Sequence, residues 1–348
     1  MNPLILPITV LSLVLGTMMT FIASHWLLIW IGLEINTMAI IPLMIHQHHP
    51  RATEATTKYF LTQATASATL LFAGIINAWL TGQWSITEIT SPTSATLMSL
   101  ALALKIGLAP LHFWLPEVLQ GLNLLTGLIL STWQKLAPFA ILLQLHHLLN
   151  PMLLMLMGVL SILIGGWGGL NQTQLRKILA YSSIAHIGWM VTILHYAPNL
   201  TLMNLIIYIM MTSSLFLMFN TNNTKKINSI AISSTKSPLL TTMTMLVLLS
   251  LGGLPPLTGF MPKWLILQEM TKQNLLIPAT IMALAALLSL FFYIRLSYSI
   301  TLTMSPNLTT SSSSWQVKTT QPTLIMSLAS SLSLMLLPLT PLTLSLVT

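Results

Sequence analysis

Ala101-Leu-Ala-Leu-Lys105-Ile-Gly107-Leu-Ala-Pro110-Leu-His112-Phe-Trp-Leu-Pro116-Glu117 lies in an apolar run that begins near Ser94. A run of that length reads as a membrane span. Yet it carries a lysine near its middle, then Gly107, then Pro110. Proline removes a backbone donor and clashes with the preceding turn, so the helix should break near Pro110. Irregular backbone at membrane depth persists only where protein or water covers it. An ammonium there costs several kcal/mol unless paired or hydrated. A snorkelling lysine on a kinked helix is the plainer reading. However, Lys105 lies about eleven residues, or about 16 Å, from either end of the run at 1.5 Å per residue. The stretch therefore reads as a site that moves charge.

The whole chain agrees with that reading. It has 348 residues, 54% hydrophobic and only 5% charged, against about 25% charged in soluble domains. It is expected to be an all-α, polytopic membrane protein. There is no aspartate, and the five acids are Glu34, Glu54, Glu88, Glu117 and Glu269. The absence of cysteine excludes disulfides, thiolate metal sites and iron–sulfur ligation. The formal charge of +8 is scattered between apolar spans, so it does not point to nucleic acid. No basic region or small-residue cleavage site opens the sequence, so no cleaved leader is expected.

Eleven apolar segments have spanning length: 3–22, 26–45, 59–80, 94–116, 124–145, 151–170, 175–194, 200–219, 238–266, 276–298 and 322–346. The longest connections, 220–237 and 301–321, read as surface loops. With loops numbered in order, the even ones hold Arg51, Lys58, Arg176, Lys177, Lys225, Lys226, Lys236, Arg295 and Lys318. The odd ones hold Lys272 alone. Nine cations against one place the N-terminus on the positive side and the C-terminus opposite.

The chain also resembles itself. Gly107-Leu-Ala-Pro110-Leu returns as Gly253-Leu-Pro255-Pro256-Leu, and Phe113-Trp-Leu-Pro116 returns as Phe260-Met-Pro262, at an offset of about 146 residues. Each copy falls in the fourth span of a five-span block. Five is odd, so the second block enters from the other side. This predicts two inverted five-helix repeats, 1–148 and 149–301, each with a discontinuous helix. Gly107 and Pro110 mark the first break; Pro255, Pro256 and Gly259 mark the second. Residues 302–348 supply a loop and an extra C-terminal helix.

Few side chains in the spans can carry charge. Glu34 sits about eight residues into the second span with no local cation, and Lys105 is its candidate partner. The plainer reading is a neutral acid bonded to Asn36 or to a carbonyl. Lys135, in Ser131-Thr-Trp-Gln-Lys135, forms a polar island in span 5; a buried amine can take and release a proton. It is expected between Lys105 and Lys263, in a polar line that includes His186. Lys263 follows the second break, and Trp264 beside it is compatible with a place nearer the interface. His112 and His186 are at depth. Either histidine alone reads first as a satisfied core residue. Ser182 and Ser183 stand roughly where the first repeat has Glu34. No histidine spacing suits a two-haem cytochrome, and none supports metal ligation.

Several motifs carry a family resemblance: Pro50-Arg-Ala-Thr-Glu-Ala, Lys58-Tyr-Phe-Leu-Thr-Gln63, His112-Phe-Trp-Leu-Pro-Glu117, Gly165-Gly-Trp-Gly-Gly-Leu-Asn-Gln-Thr-Gln-Leu-Arg-Lys177, Ala180-Tyr-Ser-Ser-Ile-Ala-His186 and Gly252-Gly-Leu-Pro-Pro256. Over nearly its whole length the chain resembles the subunit 2 family of vertebrate mitochondrial NADH dehydrogenases. These are antiporter-like membrane subunits of respiratory complex I. The resemblance implies a proton-translocating subunit of an NADH:ubiquinone reductase, with redox chemistry in partner chains and no cofactor on this one. It implies the mitochondrial inner membrane with the positive side as the matrix, other membrane-arm subunits as partners, antiporter-like neighbours among them, and membrane lipids. Bacterial relatives carry three further N-terminal helices. By resemblance, Glu34 and Lys105 are the acid and base of the first half-channel, Lys135 the connecting lysine, and Lys263 the lysine of the second half.

Two further readings remain open. The chain is then a free-standing cation/proton antiporter, or a spacer between pump subunits. Buried ions argue against the spacer, since an inert element has no reason to carry their desolvation cost.

Overall fold

A computed structural model describes residues 5–46, 49–233, 237–302, 324–341 and 345. Lys236, Lys318 and most of the 301–321 loop lie outside them. Regular structure among the described residues is helical, apart from two isolated antiparallel bridges. The chain divides into two compact units between Ser161 and Ile162.

In the first unit, α1 (Ile5–Ile22) and α2 (Trp26–Ile45) form a hairpin. α1 turns Thr9, Leu13, Gly16, Thr17 and Thr20 inward and leaves Ile8, Leu15 and Ile22 exposed. Apolar tails outside remove any reason to bury large apolar groups, so small residues line the helix contact. A Cβ at Gly16 would meet Asn36 Oδ1 at 2.5 Å and the Gly32 carbonyl at 2.9 Å.

α3 (Pro50–Thr81) starts well before residue 59 because the His49 ring accepts from the Arg51 amide and Pro50 fills the first position. Its 32 residues extend about 48 Å at 1.5 Å per residue, more than the roughly 30 Å of hydrocarbon. The excess is the charged start bearing Arg51, Glu54 and Lys58.

Span 4 is two helices, α4 (Pro92–Ile106) and α5 (Trp114–Gly121). Span 5, read as continuous, is also two: α6 (Leu124–Ser131) and α7 (Trp133–Leu145). The Thr132 hydroxyl and amide both bond the Leu128 carbonyl, at 2.7 and 3.0 Å. A side-chain hydroxyl that competes for a helix carbonyl bends the helix, and Pro138 removes another amide further on.

The unit boundary falls inside α8 (Pro151–Gly169). The second unit continues with α9 (Leu175–Ile193), α10 (Pro198–Thr221), a short α11 (Ile227–Ser233), α12 (Pro238–Gly252), α13 (Phe260–Lys272), α14 (Leu276–Leu302) and α15 (Leu324–Met335), followed by a 3-10 turn at Leu337–Leu339. α11 corrects the reading of 220–237 as loop. The Ser229 hydroxyl accepts from the amides of Lys225 and Lys226 and so holds the start of that helix. Of the expected 322–346 span, 322–323, 342–344 and 346 lie outside the described residues; α15 is followed by the 3-10 turn that holds Pro338.

Seven helices among the described residues are long and apolar enough to cross a membrane, counting 124–145 as one. Span 4 and span 9 fall short because each is interrupted. α9 has the length, but its serines, histidine and two cations reduce its apolarity.

Candidate proton-transfer site

The two interruptions are built alike. α4 and α12 each begin after a Ser-Pro step, at Ser91-Pro92 and Ser237-Pro238, and end at Ile106 and Gly252. α5 and α13 begin at Trp114 and Phe260. Gly107 (φ 87°) and Gly253 (φ 82°) both adopt the left-handed conformation, which costs a residue with a Cβ roughly 1–2 kcal/mol. In both, the amide beyond the glycine reaches back five residues: Leu108 N to Ala103 O at 2.9 Å, and Leu254 N to Leu249 O at 3.4 Å. Pro110 lies in the interruption 107–113, and Pro255, Pro256 and Gly259 in 253–259. At Gly259 any Cβ would collide with the Ser250 carbonyl.

Each break leaves helix carbonyls without amide partners, and the two units satisfy them differently. In the first, the Trp114 indole donates to the Leu104 carbonyl at 3.1 Å and Gln63 Nε2 to the Lys105 carbonyl at 3.4 Å. In the second, the Lys263 ammonium donates to the carbonyls of Leu251 and Gly252 at 3.2 and 2.9 Å. A cation at a helix C-terminus is also favoured by the helix dipole. Phe260, at the place of Trp114, has no N–H to give. Thr258 donates its hydroxyl to the Ser333 carbonyl, which ties α15 to the second break.

Lys105 and Lys135 are brought together, each 6% exposed. They line one cavity with Asn36, Thr37, Gln63 and Gln134, between α2, α3, α4 and α7. Its volume for the centres of water-sized spheres is about 20 Å³, above the roughly 10–15 Å³ that one water needs. The Lys105 ammonium and both polar atoms of the Asn36 carboxamide are buried without a hydrogen-bond partner. Gln134 is anchored through its Nε2 to the Asn36 carbonyl at 3.0 Å.

Glu34 is not ion-paired to Lys105 within 4.0 Å. Helical geometry explains why. Leu33, Asn36 and Thr37 form the stripe of α2 that faces the cavity. Glu34, Ile35 and Met38 face a groove of about 420 Å³ against α1, which Thr9, Ser12 and Trp30 also line. Thr37 joins the two sides: its hydroxyl lies 3.1 Å from a Glu34 carboxylate oxygen while the residue borders the cavity.

In the second unit, His186 is buried against Tyr208, ring centroids 5.5 Å apart. The Tyr208 phenol stands against Ser183. Tyr293 stands against Ser182. Lys263 is half-buried. His112, inside the first break, directs Nδ1 at the Pro110 carbonyl at 3.3 Å. Gln63, Trp114, Tyr208 and Tyr293 have no role assigned from sequence, and Asn36 only that of a partner for a neutral Glu34. The available signal was a polar atom in the middle of an apolar span.

Outside the spans, Lys58 bonds Glu54 and Glu117, both at 2.8 Å. The Glu117 carboxylate, then Glu54, holds the Lys58 amine above the ordinary lysine range. Lys58 in turn holds Glu54 below the ordinary carboxylate range. Glu269 pairs with Lys272 at 3.4 Å. Among the described residues no three of His, Asp or Glu gather as a metal-ligand set.

Paired helix breaks with ammonium groups beside them define an antiporter-like membrane protein. Residues 23–289 match the NADH:quinone oxidoreductase/Mrp antiporter transmembrane family, and residues 290–344 match the NADH dehydrogenase subunit 2 C-terminus. The chain belongs to this family. It is similar to "NADH-ubiquinone oxidoreductase chain 2" of Squalus acanthias, 74% identical with 98% of each chain covered, and to the chain of that name in Scyliorhinus canicula, 69% identical over the full length of both. Among solved structures it resembles a chain of respiratory complex I from Thermus thermophilus, at 28% identity and a TM-score of 0.86, covering 97% of this chain and 78% of that one. It also shares its fold with a chain of the Mrp complex of a Dietzia species, at 16% identity and a TM-score of 0.82, covering 97% and 76%.

Proposed function

We propose that this chain is the proton-translocating membrane subunit of a mitochondrial NADH:ubiquinone oxidoreductase. The observation that carries the reading is the cavity that Lys105 and Lys135 share beneath the first break. Buried ammonium groups mark proton routes in membrane proteins. Names of relatives over the full chain length supply the reaction. Redox chemistry belongs to partner chains, since a sequence without cysteine offers no ligand for the usual iron–sulfur clusters.

In this reading a proton enters from the Glu34 side and passes the Thr37 hydroxyl to Lys105. Lys135 is the onward carrier. Asn36 and Gln134 orient the path. Lys263 and His186 serve the second half. Transfer at each step needs hydrogen-bond reach or one bridging water. A change in the Glu34 charge alters the field at Lys105, and so couples the acid to the base across α2. Eleven crossings, two inverted repeats, and a matrix N-terminus with an intermembrane C-terminus complete the proposal. Its supports are the cation bias between loops and the matching helix ends at the two breaks.

Lys135→Met tests it in the intact complex. Methionine has similar length and cannot titrate. Assembly should persist and protons pumped per NADH should fall. Lys135→Arg should impair pumping too, because arginine stays charged. Parental pumping by an assembled Met variant would make Lys135 structural.

A further inference from the structure

One end of the second unit gathers cations. The bridge between Gln174 and Lys226 pairs the loop before α9 with the loop before α11. Leu175 N donates to the Lys225 carbonyl and Ile227 N to the Thr173 carbonyl, both at 3.2 Å. Arg295 of α14 reaches the same loop, its Nη1 donating to the Leu170 carbonyl at 2.6 Å. Arg295, Lys225 and Lys226 are exposed, and Arg176 and Lys177 follow directly in the paired loop. After Glu117 the only acid in the sequence is Glu269. It stands at the far end of α13, beside Lys272. Glu269 is thus the one acidic side chain of this unit, and it is paired with Lys272.

An apolar wall runs down from it. Phe291 lies one turn deeper than Arg295 on the same face of α14, about 6 Å at 1.5 Å per residue, and is 56% exposed. Leu287 and Leu284 continue that stripe, exposed as well. Tyr298 lies on the other side of Arg295, toward the helix end. Beside it stands α8, held close because Gly166 and Gly169 leave room for Leu288 and Phe292. α8 presents Trp167 outward, 75% exposed. Trp and Tyr at this level are characteristic of the membrane–water interface.

We infer that this face is a binding site for an anionic phospholipid. Its phosphate sits among Arg295, Lys225 and Lys226, and its acyl chains lie along the α14 stripe beside Trp167. Arg295 is suited to the phosphate because one N–H is fixed on the Leu170 carbonyl and the planar fork keeps further donors for oxygen. Charge alone would serve an acidic protein partner equally. The exposed aliphatic stripe continuing into the hydrocarbon favours a lipid. The inference rests on the membrane-spanning class of the chain, not on proton transfer.

The test uses the intact complex in phosphatidylcholine vesicles containing a photoactivatable phosphatidylglycerol, or a photoactivatable phosphatidylcholine as control. Phosphatidylglycerol should label the segments around Trp167 and Phe291 in preference to the control. Lys225→Gln and Lys226→Gln, both on exposed side chains, should each reduce that labelling about fivefold, the factor one cation near an anionic surface contributes. Arg295→Gln should do the same, and Arg295→Lys should recover most of it. Equal labelling by both lipids overturns the site, as does labelling indifferent to the Gln variants. Absence of label overturns it too, including the case where Lys225 or Lys226 instead cross-links to an acidic neighbouring chain.

Discussion

The Lys263 ammonium donates to the Gly252 carbonyl at 2.9 Å. A Cβ at the next residue, Gly253, would lie 3.0 Å from that same Nζ. The lysine thus closes the end of α12 in the place where an amide is missing. Lys263→Met should leave the carbonyls of Leu251 and Gly252 without their donor, at about 1–3 kcal/mol for each that stays dry. Thermal unfolding of the membrane arm should report the loss. Lys263→Arg should keep most of the stability, because it still donates. Equal stability of the Met and parent chains would show that water replaces the ammonium there.

Gly107 and Gly82 separate backbone strain from crowding. Both have positive φ. A Cβ at Gly82 meets nothing within 4 Å, whereas one at Gly107 meets Leu115 Cδ1 at 2.9 Å and the Trp114 ring at 3.5 Å. Gly82→Ala should cost about 1–2 kcal/mol, the left-handed penalty alone. Gly107→Ala should cost more and should also displace Trp114 from the Leu104 carbonyl. Tryptophan fluorescence with thermal melts distinguishes the two. Equal losses would mean that α5 yields freely.

The Lys58 trio ties α3 to α5 and should respond to pH and salt. Glu54 is held below its ordinary value, so its contribution is present above about pH 4.3, the unfolded carboxylate value, and is lost as pH falls through the folded one. Lys58 is held above its ordinary value, so its part is present below about pH 10.4 and is lost as pH rises through the folded one. Between those limits the tie is constant. All three groups are exposed, so high salt should weaken it. Amide protection factors in α5, corrected for the intrinsic rate at each pH, should fall in acid or salt; protection unchanged in both would show that packing of Gly121 on α3 suffices.

The proposed sidedness rests on the distribution of cations between loops. Trypsin should cut after Lys225 or Lys226 only when it has access to the matrix face. Cleavage in intact mitoplasts, from the intermembrane side, would reverse the proposed topology.

Much of this was readable from the residues. Apolar run length determined the helical class, because a backbone in lipid must bond itself. α2 begins and ends where its run does, at Trp26 and Ile45. The breaks were expected from Gly107 with Pro110 and from Pro255, Pro256 and Gly259, since a proline cannot continue a helix; the left-handed turns themselves lie at Gly107 and Gly253. The tertiary structure decided what lies three-dimensionally across a helix. Glu34 and Asn36 are two residues apart, yet a rotation of about 200° between them sends Glu34 to the open groove beside Trp30 and sets Asn36 between Gly16 of α1 and the lysine cavity. No local signal gives that rotation, because it depends on which neighbours pack on α2. The Thr132 break was likewise hidden, since a hydroxyl is free to bond outward or back to its own helix. Sequence determined which side chains carry charge into the membrane; packing decided which of them share a cavity, because contact depends on helix rotation and not on composition.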